Sequence, residues 1–386
     1  MYQGSHFGGK LEKSQKLIKT VCLDARLIES GGIGTYIQNM IEKLHALPFR
    51  LIVIVPYHMK EQYNALKNIA SIRSRTPIYT IREQIFLPFL IPHCDLFWSP
   101  HFNIPIFPIR SRKRLLTLHD VFHLAFLPSF NWIQRIYAKY MICHALNKSH
   151  HVITVSQFSK REIIKHTHIQ EDKLSVIPLG INTSLFHRSD QEQKRQEIQE
   201  KYHLDLPFFL FVGHFNKNLY GLLRAFFELC TKRGHRCSLI LVGKERRMKR
   251  NLTLDMILAN YPPNIRKHVR HLGYVPQKEL PFLYQLATAF VFPSFYEGFG
   301  LPPLEAMSCG CPALVSKISS LQEVYGDSAY YIDPHVPSSI ASGMEKMLTD
   351  HSLKAQFIQK GYQRAQAMSW NKTAESHIQI IQDLLK

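Results

Sequence analysis

The chain reads as an α/β protein made of two Rossmann-like, doubly wound domains that face each other across a cleft. Three observations predict this. Short apolar runs alternate with amphipathic runs of helical period almost throughout, as parallel βαβ units require. After a charged stretch near residue 190 the pattern restarts with Phe208-Phe-Leu-Phe-Val-Gly213, a strand that ends in glycine. The chain of 386 residues is also too long for one ordinary core, and fits two of about 150–200 residues each.

Taken in order, residues 1–18 hold Gly, Ser and Lys without an apolar signal region and read as a loose tail. The first domain, residues 19–187, opens on a strand over residues 20–24. Gly31-Gly32-Ile33-Gly34 then leads into a helix expected over residues 35–46, with Tyr36, Ile37, Met40, Ile41 and Leu44 on one face. Apolar runs at 51–55, 96–99, 114–118, 152–155 and 175–177 supply further strands. The second domain, residues 188–368, begins with a charged connector helix at 190–202. Its strands fall at 208–212, 239–243, 269–272, 289–292, 313–315 and 329–332. A last helix, residues 369–386, is long enough to return to the first domain. Ligands of such sheets lie outside the carboxyl ends of the strands.

The charge balance narrows the partners. There are 48 Lys and Arg against 29 Asp and Glu, a net +19. Residues 1–186 hold 23 against 11 and residues 187–386 hold 25 against 18, so the first half carries the larger excess. Such an excess points to anions: phosphates, acidic lipid or nucleic acid. No apolar stretch reaches the roughly 18 residues that span a bilayer. The seven cysteines are scattered. Their one close pair, Cys309-Gly-Cys311, fits neither a zinc site nor a disulfide framework, so the thiols read as reduced and the protein as cytoplasmic.

The chemistry concentrates in Pro293-Ser-Phe-Tyr-Glu297-Gly-Phe-Gly-Leu-Pro-Pro-Leu-Glu305-Ala-Met307, between a buried strand and a helix that stops near Gly310. Gly298 and Gly300 permit a close approach to the main chain. Pro302 and Pro303 suit the first helical turn, and the helix N-terminus favours an anion. Carboxylates on either side of an anion-binding turn suit a ligand with hydroxyls flanking phosphate, as in a sugar nucleotide.

This Glu-x7-Glu segment resembles the donor-site motif of retaining family 4 glycosyltransferases with the GT-B fold. The resemblance runs from about residue 19 to the end. It includes Asp24-Ala-Arg26, Gly32-Ile-Gly34, Arg82-Glu83-Gln84, His119-Asp120, Val155-Ser-Gln-Phe-Ser-Lys160, Lys217-Asn218-Leu219 and Leu272-Gly-Tyr-Val275. Order and spacing look most like the bacterial mannosyltransferase branch of polysaccharide and lipopolysaccharide assembly. The resemblance implies a hexose, mannose favoured, moved from a nucleotide sugar, GDP-mannose favoured, to a glycan or lipid-linked acceptor. No further cofactor is expected. His119, Lys217 and Glu297 would be catalytic. Gly32, Gly34, Asn216, Lys217, Val275, Glu297, Phe299, Gly300, Leu301 and Glu305 would bind the donor, with Glu305 on the ribose hydroxyls. The family's Arg before this Lys is Asn216 here, in a shortened loop.

Asp-x-Asp, which holds metal in many such enzymes, is missing; the nearest tripeptide is Asp190-Gln-Glu192. Cations and helix N-termini would then neutralise the leaving diphosphate, without metal. Competing readings are a GT-B enzyme using a UDP or dTDP sugar, and a non-catalytic relative that has lost the Arg. A nucleic-acid-binding protein would need clustered basic residues among aromatics, and the dense runs, 110–114 and 244–250, fall in or beside expected loops. The segment Arg82–Trp98 with Arg73 and Arg75 is basic and apolar, which predicts peripheral contact with the anionic inner face of a membrane.

Overall fold

The computed structural model describes residues 18–44, 49–59, 66, 68–127, 130–243 and 253–386. The expected tail, apart from Ile18, lies outside them, as does the basic run 244–250.

The first sheet has seven strands: β1 Thr20–Asp24, β2 Arg50–Pro56, β3 Ala70–Ser74, β4 Cys94–Ser99, β5 Ser111–Thr117, β6 His151–Thr154 and β7 Leu174–Val176. Six more form the second: β8 Phe208–Val212, β9 Ser238–Val242, β10 Val269–Gly273, β11 Ala289–Phe292, β12 Ala313–Ser316 and β13 Tyr330–Ile332. The orders are β3-β2-β1-β4-β5-β6-β7 and β10-β9-β8-β11-β12-β13. Neighbours pair in parallel throughout. Each sheet therefore reverses direction once, between β1 and β4 and between β8 and β11, the crevice where a doubly wound fold takes its ligand.

In the first half the helices are α1 Gly31–Leu44, α2 Ile81–Leu90, α3 Phe122–Ala125, α4 Trp132–Lys148 and α5 Gln157–Thr167. In the second they are α6 Glu192–Lys201, α7 Leu219–Thr231, α8 Leu254–Leu258, α9 Pro263–Arg266, α10 Leu280–Leu286, α11 Leu301–Ser308, α12 Leu321–Tyr325, α13 Pro337–Thr349, α14 His351–Ala367 and α15 Trp370–Leu385. Central strands such as β11 are buried along their whole length because helices cover both faces.

α15 crosses to the first sheet and packs on α1, β4 and β5. Its His377 is fully buried, and Nε2 sits 2.7 Å from the Tyr36 hydroxyl. The crossing is pinned at a parallel bridge between Ile181 and Ser369. A Cβ on Gly180 would collide with the Trp370 backbone.

Two expectations need correction and a third is refined. α1 starts at Gly31, four residues early, because Gly34 N–H already donates to Ser30 O at 2.8 Å. The basic run 110–114, expected in or beside a loop, straddles the two: Arg110 precedes β5 and residues 111–114 begin it. The segment 82–98 divides: Leu87, Ile91 and Leu96–Trp98 are core, whereas Ile85, Phe86 and Phe89 on α2 are exposed.

Candidate functional site

The second sheet's turning point brings two loops together. After β8 the chain passes Gly213 to Lys217 and then Asn218, which adopts φ 62° and caps α7 by accepting from Gly221 N–H. The Asn218 amide also donates to Pro293 O at 3.0 Å and Pro334 O at 2.7 Å. One side chain thus ties the β8–α7 loop to the β11–α11 loop. In consequence Lys217 Nζ lies 2.6 Å from Glu297 Oε1. Glu297 itself is 9% exposed. Its N–H donates to Ser319 Oγ, and its carbonyl accepts from Ser320 Oγ at 2.8 Å. Asn216, one residue before the lysine, is exposed on the rim.

Gly300 takes the N-cap position of α11 at φ 88°, and a Cβ there would stand 2.8 Å from Leu321 Cδ2. Its carbonyl accepts from the Tyr325 hydroxyl. Pro302 and Pro303 do occupy the first turn, but they remove two of its N–H groups. Leu301 N–H, with those of Phe299 and Gly300 before the helix, is what this turn offers an anion. The Phe299 and Leu301 side chains are buried. Glu305 accepts from the Tyr284 hydroxyl at 3.1 Å. Burial pushes its carboxyl up to about 7, against the pull of that hydrogen bond. Val275 is buried just beyond β10.

His119 follows β5 on the opposite lip. Burial, with His377 and His101 nearby, pushes its pKa down to about 4, and a hydrogen bond to the Pro100 backbone pulls the other way. The ring is therefore neutral at working pH. Its Nε2 is buried without a hydrogen-bond partner in the protein. The edge of Tyr36 holds the ring at 4.9 Å between centroids. Gly32 lies in the exposed first turn of α1 with open space where a Cβ would be. Gly34 serves packing instead: a Cβ would stand 2.5 Å from Ile28 O, and its N–H is already engaged.

The two lips touch. Gly298 O accepts from Ser156 Oγ at 2.7 Å and Ser159 Oγ at 3.3 Å. Tyr296 inserts its ring among Phe122, Phe126 and Phe158. Glu323 accepts from Gln157 N–H at 2.7 Å and Phe158 N–H at 2.9 Å, capping α5 from the other domain. Asp120 faces Glu297 across this seam, and burial and that carboxylate both raise its pKa, against a backbone hydrogen bond from Phe122.

Thus Lys217, Glu297, Phe299, Gly300, Leu301 and Glu305 share one lip. Tyr296, Asp120, Glu323 and Asn218 were not singled out from sequence as parts of the site, and Gly298, expected to let a ligand approach the main chain, instead meets the other lip. Asp120 and Asn218 sit within the matched motifs, which could have flagged them; Glu323 had no local signal. Among the described residues no group of three or more His, Cys, Asp or Glu could hold a metal ion.

Two parallel doubly wound sheets, apposed at their turning points with a lysine–glutamate pair on one lip and a neutral histidine on the other, define a GT-B glycosyltransferase. Residues 30–185 match the family described as Glycosyltransferase Family 4, and residues 191–364 match Glycosyl transferases group 1. The chain is similar to the O-antigen chain mannosyltransferase B of Escherichia coli, at 33% identity over 280 residues and 71% of each chain. It is 30% identical over 251 residues to the O-antigen chain mannosyltransferase RfbU of Salmonella typhimurium, covering 64% of each. In fold it resembles a sucrose-phosphate synthase from Thermosynechococcus elongatus, with TM-score 0.75 and 20% identity, over 95% of this chain and 99% of that one. The chain belongs to the family 4 glycosyltransferases.

Proposed function

We propose that this glycosyltransferase moves mannose from GDP-mannose to a glycan acceptor of cell-surface polysaccharide, with retention and without a metal ion. The observation that carries the reading is the Lys217–Glu297 pair held at the second sheet's turning point opposite His119. Lys217 would leave the carboxylate for the departing diphosphate and neutralise its growing charge. Glu297 would then face the sugar, holding its hydroxyls and stabilising positive charge at the anomeric carbon. Neutral His119 would accept a sugar hydroxyl through Nε2. Glu305 would take the ribose hydroxyls. The departing phosphate would receive the acceptor's proton on the same face, so no enzymic nucleophile is assigned. Mannose is favoured by the two O-antigen relatives, both of them mannosyltransferases.

The acceptor would sit on the first domain and be held at a membrane, with the protein on its cytoplasmic face. Support comes from two exposed apolar faces: Ile81, Ile85, Phe86 and Phe89 on α2, and Trp132, Ile133, Ile136 and Tyr140 on α4. The helices are joined where Asn103 donates to Glu83 and accepts from the Tyr137 hydroxyl. Among the described residues no helix is long and apolar enough to cross a membrane.

Thermal shifts with GDP-mannose, UDP-glucose and dTDP-glucose, each with and without a chelator, test the donor. Stabilisation by GDP-mannose that survives chelation is expected. A preference for a UDP or dTDP sugar would overturn the donor, and turnover restored only by magnesium or manganese would overturn metal independence.

A further inference from the structure

Between the ends of β2 and β3 and the outer side of α2 lies a cavity of about 550 Å³, away from the Lys217–Glu297 pair. Its lining has two characters. Phe86, Phe89 and Leu90 form an apolar wall, and Arg73, Arg75 and Arg82 stand around it. None of these arginines pairs with a carboxylate among the described residues. Two of them are held in place by Tyr57. Arg73 donates to the Tyr57 carbonyl at 3.1 Å, and the Arg75 guanidinium lies over the Tyr57 ring at 4.0 Å. Tyr57 N–H in turn donates to Ser74 O at 2.8 Å, fixing the turn to the end of β3.

Three guanidinium groups gathered without a counter-ion among the described residues repel one another, and the contacts with Tyr57 position two of them without neutralising any. Guanidinium forks match phosphate oxygens, and the adjoining wall matches hydrocarbon. A free phosphate would leave Phe86 and Phe89 in water, and a plain hydrocarbon would leave the arginines unmatched. An amphiphile with a phosphate head satisfies both.

The position of the cavity selects the source. α2 presents Phe86 and Phe89 outward, and on its inner side Glu83 is fully buried. Glu83 accepts from Arg26 at 2.6 Å and also from Asn103. Arg26 is paired with Asp24 at the carboxyl end of β1, beside the first sheet's turning point. The cavity is therefore one helix thickness, about 10 Å, from the crevice where an acceptor would enter. A phosphate bound there stands beside the crevice at the first sheet's turning point, a place that an acceptor's carrier must reach and a bulk bilayer lipid need not.

We propose that this cavity seats the phosphate head of the acceptor's own carrier lipid, with the first part of its chain along Phe86 and Phe89. The assignment rests on the reading that the acceptor is lipid-linked. The seat fixes where the carrier ends, and so which sugar of the attached glycan reaches His119 and Glu297.

The test uses the full chain and dodecyl phosphate below its micelle concentration, titrated by calorimetry. One molecule should bind per chain. Inorganic phosphate and dodecyl maltoside should each bind about tenfold more weakly or worse, because each lacks half of the match. Arg75→Gln, Arg82→Gln and Phe89→Ser should each weaken dodecyl phosphate by about tenfold, while Lys139→Gln on α4 should not. GDP affinity should stay the same in all four variants. Sedimentation with phosphatidylglycerol vesicles should fall no more for Arg75→Gln than for Lys139→Gln. Equal dodecyl phosphate binding in the arginine variants would overturn the site. Tight binding of inorganic phosphate alone would make it a free-anion site. Parallel loss of vesicle and dodecyl phosphate binding would make the occupant a bilayer lipid, and the carrier assignment would fall. A protein that binds dodecyl phosphate and no nucleotide sugar would instead overturn the donor reading and leave the cavity assignment standing.

Discussion

Replacing Gly298 by alanine should slow turnover without unfolding the protein. A Cβ at this position would stand 2.4 Å from the His119 carbonyl oxygen and 3.0 Å from Asp120 Cβ, both on the other domain. Non-bonded heavy atoms rest at about 3.5 Å, so the lips would have to part by roughly 1 Å. That movement also strains the hydrogen bonds from Ser156 and Ser159 to Gly298 O. A misplacement of about 1 Å between reacting groups costs up to ~100-fold in rate. The expected loss in kcat is therefore about tenfold to a hundredfold, or about 1.4–2.7 kcal/mol in the barrier. The clash lies between domains and not within either core, so the melting temperature should change by no more than about 2 °C. GDP, whose proposed contacts are chiefly on the second lip, should bind as before. Steady-state release of GDP from GDP-mannose measures kcat, and calorimetry measures the nucleotide. A kcat within twofold of the parent would refute the claim that this seam sets the reacting geometry.

Three further outcomes follow from the same lip. Glu305 has a folded pKa of about 7, above its unfolded value, so its contribution to stability is full at low pH and is lost as pH rises through 7. Its ionised form is the better acceptor for two ribose hydroxyls, so GDP should bind more tightly at pH 8 than at pH 6, and Glu305→Gln should flatten that profile. Glu297→Gln should mainly lower kcat, because its charge acts on the transition state, while Glu305→Ala should mainly raise the donor KM; equal small effects would make both surface glutamates. Asn216→Arg restores a cation on the rim, and after allowance for its exposure GDP should bind about threefold to tenfold more tightly. Unchanged affinity by calorimetry would show that the shortened loop aims this position into solvent.

What the sequence made legible follows from how local the signal is. β8 and β11 carry continuous apolar runs because helices bury both faces, and their bounds were read directly. β3 was not read: it is an edge strand, with Ser74 its one buried residue, and pairs with β2 alone. α1 began early because its glycines read as a turn, when they form the helix's first turn, with Gly34 alone packed on Ile28. The exposed stripe on α4 escaped because Trp132, Ile136 and Tyr140 have the same helical spacing as core residues. Lys217, Glu297 and Glu305 were found through a contiguous motif and a short loop. The seam was not, since Glu323 meets α5 from 165 and 166 residues away with no pattern of its own.

α15 gives the chain an unusual order of assembly. Tyr36, Trp98 and Thr117 share a hydrogen-bonded and ring-packed cluster in the first domain, and His377 from α15 completes it. His377 leaves the ribosome 341 residues after Tyr36. At cellular rates of synthesis that interval is on the order of half a minute. Once β7 is made, the first domain has the strands of its sheet but still lacks the buried wall that α15 supplies behind His119. The second domain, made later, can close its own core sooner. The earlier-born half thus receives its last packing element after every strand of the second sheet has been made.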